Sequence, residues 1–280
     1  MRTDDTFTLG GDLTVPRMGF GAMRICGPGI WGHPDDVPAA RALLKRVVEL
    51  GVRLIDTADA YGPEVSEYLL AEALHPYAEG VAIATKGGLV RGSASHWGRD
   101  GRPDYLKRRV NNSLRRLRVE RIDLYQLHAP DPDVPLEDSL GALKEMQDAG
   151  KIRHVGVSNF DVEQLERGRE VVDIVSVQNR YNLTDRGHEA VVDYCTENGI
   201  GFIPWFPLAT GDLARDPRLK SIAAAHDATP GQIALAWLLH RSPVMLPIPG
   251  TSKIAHLEQN CAASRIDLSA DEMKTLGALA

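Results

Sequence analysis

Four titratable side chains occupy places where a buried strand has no use for them. The apolar run in LIDTADAYG (54–62) stops on Asp56, and a phenol follows at Tyr61. VAIATK (81–86) stops on Lys86, and IDLYQLH (122–128) stops on His128. IRHVGVSN and IVSVQN close on Ser158-Asn159 and Gln178-Asn179. Polar groups at the end of an apolar strand need partners, because desolvation is costly. Together they can make an acid. A tyrosine, with an ordinary pKa of ~10, gives up its proton poorly at neutral pH unless its phenolate is stabilised. A Lys86 ammonium beside Tyr61 would favour the phenolate and lower that pKa, and Asp56 would keep the lysine charged and in place. His128 would orient and polarise a carbonyl oxygen sharing the site.

Such residues act together only if their strands end on one rim. FTLGGDLTV (7–15) has the alternation and the Gly-Gly of a β-hairpin. Eight strand candidates follow, at 17–23, 52–57, 81–86, 122–128, 152–159, 174–179, 201–206 and 244–250. Stretches with helical spacing separate them, as in AARALLKRVVELG (39–51). This alternation predicts an α/β fold, a single (β/α)8 TIM barrel over residues 1–280, with the N-terminal hairpin capping the barrel bottom. A doubly wound sheet would carry GxGxxG after its first strand, and Gly19-Phe-Gly21-Ala-Met-Arg24 lacks the third glycine. The longer intervals 24–36 and 87–103, each with glycines and a tryptophan, are expected to lie over the barrel mouth.

A net charge of −6 argues against a nucleic-acid partner. The basic run KRRVNNSLRRLR (107–118) has helical spacing and is expected to be a solvated helix face. Three scattered cysteines, Cys26, Cys195 and Cys261, fit a reducing compartment. With no apolar run of membrane-spanning length and no apolar core in MRTDDTFTLG, a cytoplasmic location is expected.

The motifs IDTADAYG, ATK, DLYQLH, VGVSNF, VQNRYN and IPGTSKIAHLEQN resemble the aldo-keto reductases, from the hairpin to about residue 262. GPGIWG and PWFPL are similar to the bacterial pyridoxal reductase-like branch. The resemblance implies a catalytic tetrad of Asp56, Tyr61, Lys86 and His128. It also implies hydride transfer from NADPH to an aldehyde or ketone, with Tyr61 protonating the nascent alkoxide. On the same carry-over Ser158, Asn159 and Gln178 bind the nicotinamide carboxamide, and Trp205 stacks on its ring. Gly21, Ala22, Met23, Phe206, Pro207 and Leu208 line the cofactor, Leu208 along the pyrophosphate. Gly250, Thr251, Ser252 and Lys253 meet the adenosine phosphate, and Gln259 and Asn260 lie near the adenine. His256 stands where many relatives carry an arginine, which weakens the phosphate grip. Met23, Trp31 and Trp97 are the candidate walls of the substrate pocket. The family's common state is a monomer.

Two other readings fit parts of the same residues. Lys86 could form a Schiff base if its pKa were depressed, a chemistry that Asp56 opposes. The barrel could also be a non-catalytic nicotinamide-binding module, which an intact tetrad weighs against.

Overall fold

The structure is a computed structural model that describes residues 6–208 and 216–279. Strands β1 (Thr6–Leu9) and β2 (Leu13–Pro16) form an antiparallel hairpin. Its turn runs through Gly10 and Gly11 at φ 57° and 79°, backbone that costs glycine little. The chain then winds a parallel sheet. Its strands are β3 (Phe20–Gly21), β4 (Leu54–Asp56), β5 (Ala82–Gly87), β8 (Ile122–Leu127), β9 (Ile152–Ser158), β10 (Ile174–Gln178) and β11 (Gly201–Phe202). Each pairs with the next in that order.

The expected eighth strand, 244–250, is not a regular strand, yet it closes the barrel. Phe202 donates its N–H to Val244, and Leu246 donates to Phe202, both at 2.8 Å. On the other side Gly19 donates to the Pro247 carbonyl at 2.8 Å. Pro247 and Pro249 have no N–H to give, so the segment bridges β11 and β3 without a continuous ladder. The expected strands 17–23 and 201–206 shrink to two residues each. The first gives way to a 3-10 turn at Ala22–Ile25, the second to Pro204.

The hairpin fills the barrel floor, as the sequence suggests. Leu9, Leu13 and Val15 share one buried cluster with Leu54, Ala82, Leu124, Val175, Leu246 and Ile248 from the barrel interior. A Cβ on Gly201, at the start of β11, would lie 2.6 Å from the Leu9 side chain, so a larger residue there would displace the hairpin leucine from the barrel floor.

Outside the strands lie α1 (Val37–Glu49), α2 (Val65–Leu74), α3 (Pro103–Leu117), α4 (Leu136–Asp148), α5 (Val162–Arg169) and α6 (Glu189–Asn198). After β11 come α7 (Pro217–Ala225) and α8 (Pro230–Arg241); α9 (Ile254–Ala262) and α10 (Ala270–Gly277) end the chain. Apolar stripes of these helices make the larger buried cluster. Among the described residues no helix is long and apolar enough to cross a membrane.

Two local expectations change. The interval 87–103 contains a small antiparallel hairpin, β6 (Leu89–Arg91) with β7 (Trp97–Arg99). The basic face of α3 is not wholly solvated. Arg116 is buried against Glu67 at 2.5 Å, and Arg109 reaches the buried Asp59 at 2.5 Å. Glu64 bridges the two guanidiniums at 3.0 and 3.2 Å. Helical spacing alone does not distinguish a solvated arginine from one facing a buried carboxylate on a neighbouring helix.

Candidate active site

The register of the barrel brings the polar strand ends together. Lys86 of β5 pairs with Gln126 of β8, which pairs with Gly156 of β9 and, beyond it, Ser176 of β10. Residues in register across parallel strands share a face, so these four form one layer. Gly156 makes room in it: a Cβ there would sit 2.2 Å from Ser176 Oγ and 3.0 Å from Gln126 Cγ.

Within that layer Lys86 is fully buried. Its ammonium donates to Asp56 Oδ2 at 2.7 Å, to the Thr57 carbonyl at 2.8 Å and to the Tyr61 hydroxyl at 3.4 Å. The other Asp56 oxygen accepts from Gln178 Nε2 at 2.8 Å and Gln126 Nε2 at 3.2 Å. The buried charge pair therefore has its hydrogen-bonding capacity met, the condition under which such a pair is tolerated. His128, just past β8, stands edge-on to Tyr61 with ring centroids 5.8 Å apart. Its backbone is held on both sides, by the Gly87 carbonyl at 2.9 Å and by the Asn159 side-chain amide at 3.0 Å. The imidazole Nδ1 is buried without a hydrogen-bond partner.

The electrostatics sharpen one expectation and correct another. Burial presses the Lys86 ammonium towards neutrality, but Asp56 and then Tyr61 outweigh it, and its pKa rises above the ordinary lysine value. Burial, helped by the Lys86 charge, drives the His128 pKa well below its usual value, so the ring is neutral at physiological pH. Tyr61 runs against expectation. Burial outweighs the pull of Lys86, and the phenol's pKa lies above its ordinary value. The hydroxyl is thus a proton held ready rather than a preformed phenolate.

The loop carrying Tyr61 is an extension of the ladder. Thr57 donates to Ala84 at 2.8 Å and Asp59 to Lys86 at 3.2 Å, backbone to backbone. Gly62 turns at φ 102°, where an added Cβ would meet Val65 at 2.4 Å.

The residues expected around the cofactor fall into two groups. Ser158, Asn159 and Gln178 meet at the ends of β9 and β10. Ser158 Oγ donates to the Gln178 carbonyl at 2.7 Å, and Trp205 Nε1 donates to Asn159 Oδ1 at 3.1 Å. Asn159, at φ 63°, is exposed to the mouth, but Gln178 is buried with its amide turned onto Asp56. Gln178 thus supports the charged pair through its side-chain N–H. Beside Trp205, Phe206 is exposed, Leu208 half-buried and Pro207 buried.

Gly21 and Gly250 are needed first by the backbone. A Cβ on Gly21 would lie 2.7 Å from the Ile248 carbonyl, and one on Gly250 would lie 2.7 Å from the Gly21 carbonyl. Ala22 is buried and Met23 half-buried in the turn that follows. The second group surrounds the start of α9. Ser252, Lys253 and His256 are exposed there, and no side chain caps the helix. Its first N–H groups and two basic side chains fit a phosphate. Thr251 Oγ1 accepts from the Lys253 N–H at 3.1 Å. Gln259 is exposed on the same helix, and Asn260 is buried.

Trp31 and Trp97 are drawn to one place by a residue the sequence did not single out, Arg91. Its guanidinium lies 3.6 Å from the Trp97 ring centroid and 5.5 Å from that of Trp31. Gln126 was also missed. It sits two residues before His128, on the same face of β8 by the period-2 rule, which is the signal that could have found it.

The aldo/keto reductase family model matches residues 17–280, beyond the residue 262 at which the motifs fade. An uncharacterised oxidoreductase of Schizosaccharomyces pombe is 52% identical over 93% of this chain and 85% of its own. Pyridoxine 4-dehydrogenase of Escherichia coli is 41% identical over 98% of both chains. Among solved structures, an aldo-keto reductase of Klebsiella pneumoniae in complex with NADPH superposes with a TM-score of 0.84 at 28% identity, over 98% of this chain and 94% of that one.

Proposed function

Because the chain belongs to the aldo/keto reductase family, we propose that it is an NADPH-dependent reductase of aldehydes or ketones, with pyridoxal or another aromatic aldehyde as substrate. The observation that carries this reading is the buried chain Asp56–Lys86–Tyr61 beside a neutral His128. Bound NADPH supplies a hydride to the carbonyl carbon. Tyr61 gives its hydroxyl proton to the carbonyl oxygen as negative charge develops there, so that an alcohol is formed. The phenolate left behind faces the Lys86 ammonium, which Asp56 holds in place. His128, being neutral, hydrogen-bonds the carbonyl oxygen without competing for the proton.

The residues at the start of α9 support NADPH over NADH. Lys253 and Ser252 meet the extra phosphate there, and His256 adds a weaker contact than an arginine would. Trp205 offers a face to the nicotinamide, and Asn159 and Ser158 its hydrogen bonds; Gly21, Ala22, Met23 and residues 206–208 border the same cleft. The likeness to a pyridoxine 4-dehydrogenase supports the pyridoxal assignment. Three free thiols support residence in the cytoplasm, and a monomer remains part of the proposal. The Schiff-base alternative is disfavoured by a Lys86 pKa raised rather than depressed.

Loss of NADPH absorbance tests the proposal, with pyridoxal and 4-nitrobenzaldehyde offered in parallel and NADH as the control. NADPH oxidation with either aldehyde is expected. Saturable NADPH binding with no turnover of any carbonyl would favour the non-catalytic module.

A further inference from the structure

Arg91 ends β6 on the barrel mouth and ties together three loops that come from different strands. Its Nη1 donates to the Ile30 carbonyl at 3.2 Å and to the Ala60 carbonyl at 3.4 Å. Its Nη2 donates to Gly29 at 3.1 Å and to Ala94 at 2.8 Å. Gly29 and Ile30 belong to the loop after β3, and Ala60 immediately precedes Tyr61. The first two loops are also stitched directly, Gly32 to Gly62 at 2.6 Å and Gly62 to Ile30 at 3.2 Å. The face of the same guanidinium meets the rings of Trp97 and Trp31.

Trp31 and Trp97 remain 37% and 39% exposed, although they are the largest apolar side chains of their loops. Trp31 is bridged to Gly62, the residue after Tyr61, and a pair of exposed aromatics gathered on one arginine there is a surface prepared for a flat partner. A planar cation with five fixed donors can hold both rings and several carbonyls at once, and a lysine ammonium cannot.

We propose that Arg91 is a positioning residue for substrate specificity, holding Trp31 and Trp97 as an aromatic wall beside Tyr61. The wall selects planar aromatic carbonyl compounds over small aliphatic ones. This rests on the reductase reading above.

The test compares the wild type with Arg91→Ala and Arg91→Lys in NADPH-dependent reduction of benzaldehyde and of propanal. In Arg91→Ala the KM for benzaldehyde rises about tenfold, while kcat and the KM for propanal stay within about twofold. Arg91→Lys keeps the charge but loses the fork, and it retains most of that defect. Parallel KM increases for both aldehydes, or a fall in kcat with KM unchanged, would overturn the proposal, because Arg91 would then be acting on the Tyr61 loop as a whole. Restoration of the benzaldehyde KM by Arg91→Lys would overturn it as well, since charge alone would suffice. A wild-type chain that reduces neither aldehyde would instead sink the reductase reading, and this proposal with it.

Discussion

The ammonium of Lys86 and the carboxylate of Asp56 meet at 2.7 Å with neither side chain in contact with bulk solvent. Two glutamines from separate strands complete the aspartate's hydrogen bonds. The pair therefore joins β4, β5, β8 and β10 while it holds a positive charge 3.4 Å from the Tyr61 oxygen. Stability and chemistry lean on the same two side chains.

Lys86→Met should accordingly cost about 3–5 kcal/mol, since Asp56 would be left buried and unpaired. Adding Asp56→Asn should recover part of that loss, although neither variant regains activity. Urea unfolding of the wild type, both single variants and the double variant gives the coupling. A double variant as unstable as the sum of the singles would mean that the pair contributes no coupling.

Tyr61→Phe should lower kcat by about 10²–10⁴-fold, with NADPH affinity kept within about twofold. The wild-type pH profile provides a second check. A donor whose pKa is raised above 10.0 stays protonated through neutral and moderately alkaline pH. A ring whose pKa lies well below 6.5 does not titrate at neutrality. The reduction rate should thus be flat from about pH 7 to about pH 9 and decline only above the ordinary tyrosine range. An inflection near pH 6.5 would mean that His128 titrates during turnover.

The tetrad was legible because each member ends an apolar strand, and strand ends are what a barrel gathers. The supporting contacts were not. Gln178 bonds Asp56 as well as standing at the strand end, a contact hidden because the sequence does not reveal which way an amide turns across a barrel. The Tyr61 pKa was misjudged because one neighbouring charge was weighed without the burial that opposes it. Arg109 and Arg116 looked like surface residues and Arg91 drew no notice, since their partners lie on elements far away in the chain. The eighth strand was half legible: its apolar run is there, but its prolines remove the donors of a ladder.

Cofactor choice should depend on the start of α9. Lys253→Ala should weaken NADPH several-fold while leaving NADH within about twofold, and His256→Arg should tighten NADPH. Fluorescence titration of each variant with both nucleotides decides this. Equal losses for NADPH and NADH in Lys253→Ala would move the phosphate site elsewhere.

Asp59 presents a conflict that pH can resolve. Its Oδ2 lies 2.5 Å from Arg109 Nε, as in an ion pair, yet its Oδ1 is buried without a partner. Burial raises its pKa from 3.8 to about 7 against the opposing pull of Arg109. A carboxyl with a raised native pKa stabilises the fold fully below its unfolded value, where both states are protonated. As pH rises through 3.8, the unfolded chain releases its proton first and the advantage drains away, until the folded group ionises at about 7. Unfolding free energy of the wild type minus that of Asp59→Asn should therefore fall between about pH 4 and about pH 7 and be level above, by more than ~1 kcal/mol in total. Chemical denaturation at a series of pH values gives that difference curve. A level curve throughout would mean that Arg109 keeps Asp59 ionised across the range. The loop bearing Tyr61 would then rest on a permanent ion pair.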